Sequence, residues 1–90
     1  MPQVLRLIAG DRAYEKMEAR GITRRDLVDV LAGRHVITRN RKDRAASHVL
    51  IGWDGQGRCL AVPILPTDDP STWQAFTAWH CKPGEAAKLR

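Results

Sequence analysis

Cysteine is scarce in this 90-residue chain. Cys59 and Cys81 are too few for a disulfide framework, and their spacing fits no zinc motif. They read as two small, semi-buried hydrophobes. No apolar run approaches the roughly 20 residues that cross a bilayer. The opening MPQVLRLIAGDR returns to charge too soon for a signal peptide. Gly-rich phosphate loops, serine triads and paired carboxylates are missing. The three histidines are scattered without metal-site spacing, so neither a metal nor a cofactor is expected. Adjacent Asp68 and Asp69 sit between prolines and read as turn formers. There is no internal repeat, low-complexity tract or linker. These absences leave one domain spanning 1–90, with no membrane role and an expected place in the cytoplasm.

Positive charge is plentiful. Lys and Arg number 15 against 10 acids, which gives a net charge of +5. Such a chain attracts polyanions, of which nucleic acid is the commonest in a cytoplasm. An acidic protein is the other candidate. The charge concentrates in RHVITRNRKDRAASH (34–48), where five cations face Asp43 alone. Arg39 and Arg41 alternate, so on an extended strand they point the same way, and Arg44 is near enough to join them across a turn. Guanidinium forks suit phosphate oxygens. The stretch is either a solvated turn between strands or a phosphate-contacting edge.

Hydrophobic periodicity orders the rest. VLRLI (4–8) alternates weakly, as a first strand. Asp11 is a plausible N-cap for DRAYEKMEAR (11–20), which keeps Ala13, Tyr14 and Met17 at helical spacing and stops at Gly21. In ITRRDLVDVLAG, Thr23 and Asp26 have capping-box spacing, and Ile22 and Leu27 have that of a hydrophobic staple. HVIT (35–38), SHVLIGW (47–53), RCLAVPIL (58–65) and WQAFTAWH (73–80) read as strands, with the turn DGQG (54–57) between the middle two. Pro63 requires an edge or a bulge. Trp73 and Trp79 have the same parity, hence one face on a regular strand, with Phe76 on the other. Pro83 suits the first turn of a short C-terminal helix. The predicted architecture is α+β: two N-terminal helices on one face of a curved, 3–4-stranded antiparallel sheet, then the short helix.

YEKMEARGITRRDLVDVL resembles the helical half of small bacterial proteins carrying "E-R-M-x-x-R-G-I-[ST]-x-x-D-[LV]". HVLIGWDGQGRCLAV is similar to the "I-G-x-x-x-x-G-R-x-L-x-V" sheet of BrnT-type toxins, distant relatives of RelE. TAWHCKPGE falls where those toxins carry a strand ending in "S-A-R-K-A-T-x-x-E". The resemblance spans roughly residues 13 to 86. It implies a type II toxin–antitoxin toxin that cuts mRNA without metal, often on the ribosome, and is held by an antitoxin. An acidic antitoxin segment suits the basic chain. The family's Arg-Lys pair aligns with Trp79 and His80 here. Either the role of those cations has moved, or the nuclease activity is lost and a non-catalytic nucleic-acid- or protein-binding module remains.

Candidate roles follow. His80, or His48, is the acid–base candidate, with Arg58 and Lys82 as electrostatic helpers. Arg39, Arg41, Lys42 and Arg44 are RNA-contacting candidates, and Trp79 is a base-stacking one. For each histidine a structural role competes: a cross-strand pairing for His48, and for His35 a bond to the carbonyls of a helix end.

Overall fold

The computed structural model describes residues 3–40 and 46–89. Among them the elements run β1 (Arg6–Ile8), α1 (Asp11–Glu18), α2 (Arg24–Ala32), β2 (His35–Arg39), β3 (His48–Trp53), β4 (Cys59–Pro66), β5 (Thr72–Ala75), β6 (Trp79–His80) and α3 (Pro83–Ala87).

The helical pair forms for the local reasons its sequence supplies. Gly21 adopts φ 72°, which only glycine holds without strain. Ile22 N–H donates to Met17 O and Gly21 N–H to Glu18 O, both at 2.9 Å, the paired bonds of a Schellman stop. Its apolar contact is there too, since Met17 and Ile22 are fully buried. Thr23 then opens α2 with a complete capping box: its Oγ1 accepts from Asp26 N–H, and Asp26 Oδ2 accepts from Thr23 N–H. Asp11 proves to be the first helical residue of α1, and Gly10 is the cap. A carboxylate inside the first turn still favours the helix dipole.

The sheet order is β1-β5-β4-β3-β2, with β6 also paired to β4. All pairings are antiparallel except β1 with β5. The sheet is therefore six-stranded and mixed among the described residues, in place of the expected three or four antiparallel strands. Two features make the difference. The short β1 adds in parallel, with Leu5 and Arg6 N–H both reaching Ser71 O. The predicted strand 73–80 also breaks into β5 and β6.

That break has a cause in Pro63. Its carbonyl accepts from Phe76 N–H at 3.1 Å, so its missing donor faces the same neighbour. Ile64 pairs Ala75 and Ala61 pairs Trp79, so two β4 residues oppose three on the other strand. This is a β-bulge, and it inverts the face of everything after it. Trp73 consequently packs with α1 and α2, in a core containing Met17, Leu27, Val30, Leu50, Leu60 and Val62. Trp79 packs on the opposite face with Val49, Ile51, Ala61 and Leu89. The expectation that the two tryptophans share a face is corrected by the bulge.

Both faces are covered. The N-terminal helices hold one, where Gly52 lets α2 approach: a Cβ there would lie 2.8 Å from Val30 Cγ1. The other carries α3, tied down by buried Leu89 and by Glu85, which accepts from Trp79 Nε1. The helices are thus not all on one side. Cys59 and Cys81 also depart from their expected free state. They lie opposite each other on β4 and just beyond β6, and form a disulfide. No helix among the described residues is long and apolar enough to cross a membrane.

Candidate nucleic-acid interface

The α3 face holds a wide recess. A groove of about 890 Å³ runs between α3 and the sheet, with Val49, Pro63, Phe76 and Trp79 as its apolar floor. Asn40 and Ala46 stand at one end, and Lys82, Glu85 and Lys88 along the helix side. It continues into a cleft of about 560 Å³ that adds Thr38, Arg39 and Ile51. Arg39, Lys82 and Lys88 are exposed, whereas Phe76 and Trp79 are half-buried. An apolar, aromatic floor under a cationic rim can take planar bases below and phosphates above.

Local structure fixes the groove's walls. Glu85 accepts from Trp79 Nε1 through both carboxylate oxygens, at 3.1 and 3.3 Å. Its Oε1 also accepts from Lys82 N–H at 2.9 Å. One carboxylate therefore sets the indole and the helix start together, and leaves the Lys82 ammonium at the rim. At the other end Asn40 Nδ2 donates to Ala46 O and Asn40 N–H to Ser47 O. These bonds close the base of the loop between β2 and β3. Arg41, Lys42 and Arg44, predicted to contact RNA, lie outside the described residues.

The remaining candidates sit elsewhere. His80 pairs with Leu60, a core residue of the α1–α2 face, so it points away from the groove. Its Nε2 lies 2.9 Å from Arg20 O, and Arg20 NH1 donates back to Thr77 Oγ1 and Ala78 O. This reciprocal clasp joins the α1–α2 turn to β6. Arg58 meets the same turn through Gly21 O. Its guanidinium also binds Asp54 at 2.6 Å and Asp26 at 2.9 Å.

Asp54 closes the β3–β4 turn by accepting from the backbone N–H of Gln56 and of Arg58. Burial works to raise the Asp54 carboxyl, but those N–H groups and the Arg58 guanidinium hold it below the usual aspartate value. Arg58 in turn is held more firmly charged, chiefly by its hydrogen bond to Asp54.

His48 is half-buried on the α1–α2 face, with its ring edge-on to Trp73 at 5.2 Å and Nδ1 2.8 Å from Ser47 Oγ. Its cross-strand partners are Arg39 and Ile64. His35 Nδ1 lies 3.1–3.2 Å from the carbonyls of Gly33 and Val30, at the end of α2. No group of His, Cys, Asp and Glu suited to a metal ion occurs among the described residues.

Of the predicted site residues, then, Trp79 and Lys82 share one groove and His80 and Arg58 share one turn, while Arg39 touches the adjoining cleft but pairs across the strands with His48, on the α1–α2 face. Lys88, Phe76 and Asn40 belong to the groove but were not singled out from sequence. The Pro63 signal was available for Phe76: one bulged residue turns it and Trp79 toward the same side. The chain matches no family, no curated protein and no solved structure.

Proposed function

We propose that this protein binds single-stranded RNA in the α3 groove, as an RNA-directed toxin of the RelE/BrnT type. The observation that carries the reading is the groove itself. Trp79 and Phe76 lie in its floor, and Lys82 and Lys88 border it. Asn40 and Ala46 belong to its wall, and Arg41, Lys42 and Arg44, which lie between them in sequence, are outside the described residues. Bases would rest on the floor while phosphates meet the rim. The toxin reading rests on the sequence resemblance over roughly residues 13 to 86. An acidic antitoxin would then neutralise the basic chain, and mRNA, free or on a ribosome, would be the target in the cytoplasm.

Binding without chemistry is the form that the geometry favours. His80 bonds to the α1–α2 turn, and Arg58 bonds to that turn, to Asp26 and to Asp54, none of which lines the groove. Metal-independent endoribonuclease activity is the second reading. One observation favours it: an exposed imidazole, His80, meets the same turn as the Arg20 and Arg58 guanidinium groups. Such a trio can support proton transfer beside a charged phosphorus.

The test is anisotropy of a labelled single-stranded RNA against purified protein in chelator, with gel analysis of the same samples. Salt-sensitive binding with intact RNA is the expected result. Cleavage that His80→Ala abolishes would move the function to the second reading. Absence of any RNA binding would refute both.

A further inference from the structure

We propose that the free edge of β1, with the apolar groove beside it, receives an extended acidic–apolar segment of a partner protein as an added strand. β1 ends the sheet, and among the described residues it pairs only with β5. Its other edge leaves main-chain donors and acceptors for one more strand, the commonest way an extended peptide docks on a sheet.

The surroundings favour that occupant. A groove of about 370 Å³ lies between β1 and α2, lined by Leu5, Leu27, Val28 and Leu31 with Arg6 and Arg24. Leu5, Val28 and Ile8 are 63%, 55% and 47% exposed, the three most exposed large apolar side chains among the described residues. Leu5 and Val28 both line this groove, so their exposure is one patch. No carboxylate lines the groove. Arg24 is held over the Tyr14 ring at 4.4 Å and is in no ion pair among the described residues, whereas Arg6 already lies in the field of Asp69. Apolar side chains of an added strand would seat against Leu5 and Val28, and a carboxylate beside them would reach Arg24. A second copy of this chain, itself at +5, meets the same cations with repulsion. The patch lies on the α1–α2 side at the β1 end of the sheet, so the inference is independent of the RNA reading.

The experiment titrates uniformly labelled full-length protein with a capped peptide of alternating glutamate and leucine, followed by amide chemical shifts. Controls are the same peptide with lysine for glutamate, and one with a central proline. The expected shifts fall at residues 5–8 and 24–32, with both controls weaker. Val28→Glu and Leu5→Glu, both at exposed positions, should each weaken binding roughly tenfold or more. Equal binding of the lysine peptide, shifts confined to the α3 groove, or no shifts would overturn the proposal. So would a dimer in sedimentation that Val28→Glu dissolves, since the occupant would then be a second copy.

Discussion

Replacing Cys59 and Cys81 together by serine removes a crosslink between positions 22 apart in sequence. A disulfide acts mainly by restricting the unfolded chain, and for a loop of this length the loop-closure relation gives about 3 kcal/mol. Both cysteines also pack against the cluster containing Trp79 and Leu89, so the hydroxyls of serine lose apolar contact as well. For a domain of this size, a loss of that magnitude lowers the melting temperature by roughly 10–25 °C. The assay is urea denaturation read by tryptophan fluorescence, on oxidised protein, reduced protein and the double variant. Reduced protein and double variant should both unfold well below the oxidised form. An unchanged midpoint in reductant, or two titratable thiols in the oxidised preparation, would refute the reasoning. Because Cys81 directly precedes Lys82 at the start of α3, the same crosslink steadies one wall of the groove.

The remaining predictions concern the frame of the site. Asp54 has a folded pKa below its unfolded value, so its stabilisation is fully present above about pH 4 and disappears as pH falls through the folded value. Asp54→Asn should therefore flatten the acid limb of a stability-against-pH curve, and an unaltered limb would count against the Asp54–Arg58 account. Gly52→Ala puts a methyl 2.8 Å from Val30 Cγ1 and 3.0 Å from His35 Cβ, so it should cost about 1–3 kcal/mol in chemical denaturation. A neutral result would mean that α2 sits less closely on β3 than described. Thr23→Ala removes one half of the capping box and should cost about 1 kcal/mol, measurable as a lower urea midpoint.

Local chemistry was the most legible part of the sequence. The Gly21 stop, the Thr23–Asp26 box, the Ile22–Leu27 staple and the Asp54 turn each depend on residues within five positions of one another. The structure contains the stop, the box and the turn, and buries Ile22 and Leu27 in one core cluster. What failed was parity across a long strand. Alternation carries Trp73 to Trp79 on one face only if no residue is inserted, and the donor missing at Pro63 inserts one. The disulfide was invisible for a related reason: which cysteines face each other depends on the register of β6 against β4. The roles proposed for His80 and Arg58 came from resemblance, whereas their bonds to Arg20 and Gly21 carbonyls come from the packing of distant segments.

The central claim is that the α3 groove holds single-stranded RNA by its cationic rim. The direct measurement is the RNA dissociation constant across a salt series, for wild type and for Lys82→Ala combined with Lys88→Ala. Both lysines are exposed, so the fold should survive. With three to six phosphates engaged, the logarithm of the association constant should fall with the logarithm of salt at a slope between about −2 and −4. The double variant should flatten that slope by about 1.4 and weaken binding at low salt. A wild-type slope near zero, or a double variant that binds as wild type does at every salt concentration, would contradict the account.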